Sequence, residues 1–207
     1  MRERMGWWED PPPHGEDQVI PADRWESCLD ADSVIPDGAR VAFAIDTSWD
    51  RQTTWIAVAG LRPDGVPHIE LVATHYGSEW VHAWLAERIP LWNPVAVGLQ
   101  AGSPVSSILE ELTTAFPQVS GMSGQDLGRA CGYFFDTVTA GQLVHTGQEQ
   151  LDVATRMAAI RPMGDSWLWD RKASPIDIAP LVAVTEALYL LKTTPEPKKR
   201  SGRVVGF

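Results

Sequence analysis

Asp46, Gln100 and Asp177 are the side chains whose types and positions point to metal chemistry. Asp46 closes the run Val41-Ala42-Phe43-Ala44-Ile45 and is followed by Thr47-Ser48-Trp49-Asp50. Such a run reads as a strand buried on both faces. A carboxylate at its end sits where packed core gives way to a cleft, and it costs free energy unless a cation or a hydrogen bond satisfies it. Mg²⁺ would do so, because it prefers carboxylate and water oxygens. The local alternative is turn chemistry, for which Asp-Thr-Ser is ordinary. Asp177 stands in Ser174-Pro175-Ile176-Asp177-Ile178-Ala179-Pro180, where a last helix begins. A carboxylate there also suits the helix dipole without any metal. Gln100 offers a carbonyl oxygen but no charge. Gathered at one place, such groups fit phosphodiester hydrolysis with two cations about 3.5–4 Å apart, one activating water and one stabilising the leaving oxygen.

These side chains meet only if the strands ending at 46 and 100 lie side by side and the last helix packs across the same end. The pattern supports this. Residues 41–46, 53–61 and 68–74 read as three strands of an antiparallel meander, with Asp64-Gly65 in the second turn. Residues 79–89 form a helix with Ser78 as N-cap, ended by Pro90 and Pro94. Residues 95–99 are a short apolar strand leading to Gln100, and 105–116 a helix with Ser103 as cap and Pro104 at its first position. Residues 118–122 suggest a fifth strand. Helices follow at 124–142, 151–160 and 177–192, while Trp167-Leu168-Trp169 is too short to assign. Hairpins followed by right-handed crossovers give an α/β fold with a mixed five-stranded sheet and helices on both faces, the RNase H-like layout. Residues 1–38 read as a Pro-rich arm or linker, 39–192 as the domain, and 193–207 as a basic flexible tail.

Composition narrows the function. The 207 residues are 44% hydrophobic and 21% charged, enough for one substantial globular domain. No apolar run is long enough to span a membrane, and the N-terminus lacks the apolar core of a signal peptide. Cys28 and Cys131 make neither a disulfide framework nor a zinc site, which fits a reduced cytoplasmic setting. The net charge of −10 argues against coating nucleic acid by charge alone. It permits an enzyme that meets DNA at one place. The basic cluster Lys198-Lys199-Arg200 with Arg203 reads as a solvated end. The ten tryptophans read as core and interface anchors rather than base-stacking platforms.

Five segments in this order resemble a known family: Ala44-Ile45-Asp46, Leu127–Asp136, His145–Leu151, Gly164–Trp169 and Asp177–Ala183. Over roughly residues 38–192 the chain resembles the C-terminal nuclease domain of tailed-bacteriophage terminase large subunits. Trp7-Trp8 and Ile20–Trp25 look like the stretch joining such nucleases to their ATPase. The resemblance implies an RNase H-like endonuclease, two Mg²⁺ or Mn²⁺ ions, and cutting of concatemeric viral DNA during packaging. It implies double-stranded DNA, the terminase ATPase domain, the small terminase subunit and the portal as partners, and the host cytoplasm as the place. It assigns Asp46 and Asp177 to the metals, with Gln100 at the third corner. The chain departs from the family in two ways. It has no G-x-x-x-x-G-K-[ST] phosphate loop, so it carries no packaging ATPase. And the family places an acid where this chain has Gln100, which removes a charge from the site.

Lesser candidates have local readings. Asp50, Asp165 and Asp170 suit turns. Arg171 and Lys172 precede Asp177 and suit a phosphate, though lone surface charges usually meet only water. His145 reads as a core or loop residue, and Ser103 and Ser106 lack a histidine and acid at recognisable spacing. No base-reading motif is present, so cutting would have little sequence preference. Two rivals stand beside the nuclease: a nuclease-like docking module that no longer cuts, and another RNase H-like enzyme such as a resolvase or transposase.

Overall fold

The computed structural model describes residues 18–195. Trp7-Trp8, Pro11–Pro13 and the cluster at 198–203 lie outside the described residues. Strands β1 (Val41–Thr47), β2 (Thr53–Leu61) and β3 (Pro67–Tyr76) form the antiparallel meander. β4 (Ala96–Gln100) and β5 (Val119–Met122) add in parallel beside β1. The sheet has six strands rather than five, in the order β5-β4-β1-β2-β3-β6. The sixth, β6 (Val144–His145), pairs in parallel with β3 over two residues. Two residues carry no periodicity, so the pattern is blind to it. This central β1, antiparallel to β2 and parallel to β4, is the RNase H-like fold.

The apolar runs conceal a second alternation, of size. On one face β1, β2 and β4 present Ala42, Ala44, Ala57, Ala59, Ala96 and Gly98. On the other they present Val41, Phe43, Ile45, Ile56, Val58, Val97 and Leu99. The strand period of two produces both faces from one sequence. The small-residue face receives α6 (Ala179–Thr193), which lies across β1, β2 and β4. α6 is buried along nearly its whole length, because α4 (Gly124–Thr139) and α5 (Glu149–Met157) cover its back. The large-residue face is covered by α2 (Val81–Trp92) and by the turn Pro104–Ile108 that leads into α3 (Leu109–Ala115).

Other elements differ locally from the pattern. α2 starts two residues later than the pattern suggests and runs through Pro90 to a left-handed Asn93; Ser78 makes no side-chain cap. Ser103 donates to the Gln100 carbonyl instead of capping, and the first turn after it is a 3-10 turn. Trp167–Trp169 belong to a hairpin of β7 (Ala159–Met163) and β8 (Ser166–Asp170), turning at Gly164 with φ 59°. The segment α1 (Ala22–Ser27) is docked, with Ile20, Trp25 and Cys28 in the core. No helix among the described residues is long and apolar enough to cross a membrane.

The close approach of α6 depends on Gly98, where an added Cβ would run into the Leu190 side chain. Gly98→Ala is expected to destabilise the fold by about 1–3 kcal/mol, the usual cost of overpacking. Urea unfolding measures this, and a variant as stable as the parent would show that α6 does not need the gap.

Candidate active site

Strand parity aims the site residues. Asp46 continues the series Ala42, Ala44 and so faces α6. Gln100 continues Ala96 and Gly98 on the neighbouring parallel strand, one step past the last ladder pair, Ile45–Leu99. Trp55, opposite Asp46 on β2, faces the same way. Asp46 has no exposed surface, and the group that meets it is Arg171. Arg171 Nη2 donates to Asp46 Oδ1 at 2.9 Å, and its Nη1 donates to Oδ2. The same Nη2 reaches Gln100 Oε1 at 3.4 Å. One guanidinium therefore joins the ends of β1 and β4.

Arg171 is fixed by what precedes it. β8 is tied to α6 by Trp169 Nε1 donating to Thr185 Oγ1 at 3.0 Å. Asp170 then turns the chain, its Oδ1 accepting from the backbone N–H of Lys172 and Ala173. The expectation that Arg171 meets only water is overturned, since its side chain is 11% exposed and paired with a carboxylate. A lone Arg in a loop gives no periodic signal, and its partner lies 125 residues away.

Asp177 comes to the same region by a different route. Its Oδ2 accepts from Trp55 Nε1 at 3.0 Å, and its Oδ1 accepts from the Ala179 backbone N–H at 2.9 Å as α6 begins. It thus serves the helix start and also adds negative charge felt by Asp46 and Arg171. Glu186, on α6, is a fourth titratable group of the site. It has no exposed surface, and neither carboxylate oxygen has a hydrogen-bond partner. A single Glu in the run Leu181–Leu191 was the available signal, hidden by reading that helix only for its apolar packing.

Burial dominates the electrostatics. Loss of water pushes the Asp46 carboxyl up to about 6, against the pull of Arg171 and with a further push from Asp177. Burial raises Glu186 well above the ordinary carboxylate range, and Asp46 adds to it. Burial opposes the charge of Arg171 as well, but Asp46, helped by Glu186 and Asp177, more than offsets it and favours the protonated guanidinium. The described residues hold no group of three or more His, Cys, Asp or Glu side chains placed to share a metal ion.

Two clefts flank this pair. One, of about 400 Å³, is bordered by Gln100, Arg161, Arg171 and Lys172. The other, of about 230 Å³, is bordered by Asp50, Arg171 and Asp177. Trp49, 54% exposed, lines both, with Lys172 Nζ 4.5 Å above its ring. Asp50 is a turn residue, accepting from Ser48 Oγ and the Gln52 backbone N–H. Asp165 lies at the tip of the β7–β8 hairpin. Ser106 donates to the Ser103 carbonyl, and no histidine contacts either serine. His145 is buried, stacked on Trp25 at 3.8 Å with its ring nitrogens engaged, as a structural histidine should be.

Fold and site together define an RNase H-like α/β domain with clefts at the ends of β1 and β4. No protein-family profile and no curated protein matches the chain. Its neighbours among solved structures include a phage large terminase and large terminase nucleases. The HK97 bacteriophage large terminase superposes with a TM-score of 0.68 at 15% identity, over 83% of this chain and 43% of that one. The large terminase nuclease from thermophilic phage G20c gives 0.60 at 9% identity, over 79% and 94%. The same nuclease with bound magnesium gives 0.59 at 10% identity, over 80% and 95%. The chain therefore spans less than half of the HK97 protein and nearly all of the G20c domain. At these identities what is shared is the fold.

The raised Asp46 carboxyl sets a pH dependence. Folding takes up a proton between the ordinary value of 3.8 and about 6. The stability gained is fully present below the ordinary value and is lost as the pH rises through about 6. Thermal midpoints of the parent and Asp46→Asn, measured from acid to neutral pH without divalent ions, should show the parent losing ground to the variant across that window. A difference that is constant or grows with pH contradicts this.

Proposed function

We propose that this chain is a divalent-metal-dependent endonuclease domain of a phage DNA-packaging terminase, cutting concatemeric viral DNA with little sequence preference. The observation that carries the reading is the convergence of Asp46 and Gln100 on one guanidinium, at the foot of two clefts, one of which Asp177 borders. The donors are all hard oxygens, the type that Mg²⁺ and Mn²⁺ select. Arg171 marks a position where positive charge is required, so the residues present suit a cation there. Asp46 would hold it, with Gln100 Oε1 and Asp177 at its sides. When bound, a divalent cation supplies Lewis acidity to the scissile phosphate and lowers the pKa of water. The two ions implied by the resemblance are harder to balance here. Asp46 and Asp177 match the charge of one divalent cation, and a second would lean on substrate phosphate.

The chain's own residues supply the rest. Asp46 and Gln100 present their oxygens from rigid strand ends, which fixes the position of whatever they hold. Arg161, Arg171 and Lys172 border the larger cleft in a chain whose net charge is −10. This is a local basic strip suited to sequence-independent phosphate contact. Trp49 offers an exposed ring beside it. The terminase ATPase domain, small terminase subunit and portal are the partners, and the host cytoplasm the place, that go with this assignment.

Gln100 and the Asp46–Arg171 pair favour a second reading, a docking module of the packaging motor that no longer cuts. Plasmid nicking with Mn²⁺ separates the two. The parent should nick, Asp46→Ala should abolish nicking, and Gln100→Glu should raise it about tenfold or more by restoring an acid to the cation. If the parent, Gln100→Glu and Gln100→Asp all lack a nicking activity that depends on Asp46, the docking reading replaces the nuclease. A marked preference for four-way junctions over linear duplex would instead make it a resolvase.

A further inference from the structure

We propose that Arg171 is a movable counter-ion for the site, seated on Asp46 when no divalent cation is bound and handed to Glu186 when one arrives. The inference rests on the metal-dependent reading above and adds to it the residue that makes room for the cation.

Arg171 and Trp49 border both clefts. The guanidinium is thus a partition between the Gln100 side and the Asp177 side, and Asp46 lies beneath it with no exposed surface. Both Asp46 oxygens are engaged by Arg171. A cation reaches Asp46 only if that pairing opens, and opening it merges the two clefts into one trough.

A guanidinium this buried does not leave one anion without finding another. Leaving a buried charge unpaired costs about 3–5 kcal/mol. The charges that act on Arg171 come from Asp46, Glu186 and Asp177. Asp46 would be taken by the cation. Asp177 already accepts from Trp55 Nε1 and from the Ala179 backbone N–H. Glu186 alone has both oxygens without a partner. A buried carboxyl group left so is uncommon and calls for a reason. Its place is suited to the role: Glu186 follows Thr185, the residue that anchors Trp169 and hence the strand leading to Arg171. The Asp170 turn can hold the backbone while the long Arg side chain changes rotamer.

The exchange also answers a problem of charge. A dication on Asp46 with Arg171 still beside it would set like charges against each other in a site that water does not screen. Moving Arg171 onto Glu186 separates them; burial favours the neutral form of Glu186, so its proton passes to solvent as the guanidinium arrives and the two then pair as opposite charges.

Mn²⁺ binding to the chain alone tests this without any nuclease readout. Free Mn²⁺ is titrated by electron paramagnetic resonance, and Mn²⁺-induced shifts in thermal midpoint are recorded in parallel. Asp46→Asn should abolish site binding. Arg171→Gln should tighten Mn²⁺ about tenfold by removing the competitor, and Glu186→Gln should weaken it by a similar factor by removing the second seat. In the Arg171→Gln background, Glu186→Gln should have little further effect. Should Arg171→Gln fail to fold, Arg171→Lys keeps the charge without the two-pronged contact and should still bind Mn²⁺ more tightly than the parent.

The handover is overturned if Mn²⁺ binds at Asp46 with an affinity indifferent to Arg171. It is also overturned if Glu186→Gln is equally costly with and without Arg171, since Glu186 would then act on the ion directly. Absence of Asp46-dependent Mn²⁺ binding in every variant overturns both the handover and the metal-dependent reading. Asp46-dependent binding that ignores Arg171 overturns the handover alone.

Discussion

A carboxylate with no exposed surface must be met by positive charge, or else give up its own. Asp46 is in that position at the end of the central strand, and Arg171 meets it through both oxygens. Much of the local architecture serves this contact. The β7–β8 hairpin delivers Arg171, the Trp169–Thr185 hydrogen bond ties that hairpin to α6, and α6 closes the site from above. Desolvation raises the cost of every charge in the site and strengthens every pairing within it. A buried ion pair of this kind is weak evidence of a stability device. It is better read as a place where the fold keeps a cation.

The site depends on a size pattern as much as on charge. Small residues on one face of β1, β2 and β4 let α6 approach, and the same parity turns Asp46, Gln100 and Trp55 toward that helix. Had β1 slipped by one residue, Asp46 would face α2 and the large-residue core. The packing of β1 therefore also fixes the direction of Asp46, because a register error would bury its charge against Ile56, Val58 and Leu99 of the neighbouring strands.

Much of this was legible in the chain. The meander, the short strand to Gln100 and the sheet-packing last helix follow from runs long enough to show a period, and Asp46 and Gln100 do lie at adjacent strand ends. What escaped was set by distance or brevity. β6 has two residues, and the β7–β8 hairpin carries Pro162 and little alternation. Arg171 looked like a surface charge because its partner is 125 residues away. Glu186 is a single acid in an apolar run, and only the fold places that helix over β1. Asp177 meets its reading as a helix-start carboxylate, and its negative charge also acts on Asp46.

The fold is shared with the phage terminase nucleases, and Arg171 stands where the proposed divalent cation would sit. The account turns on whether a divalent ion takes that place. Anomalous diffraction from crystals of the chain soaked in Mn²⁺ tests it most directly. The account predicts an Mn²⁺ peak bonded to Asp46, flanked by Gln100 and Asp177, with Arg171 moved off the Asp46 carboxylate. Arg171 still paired with Asp46 in crystals that carry Mn²⁺ only elsewhere would contradict it.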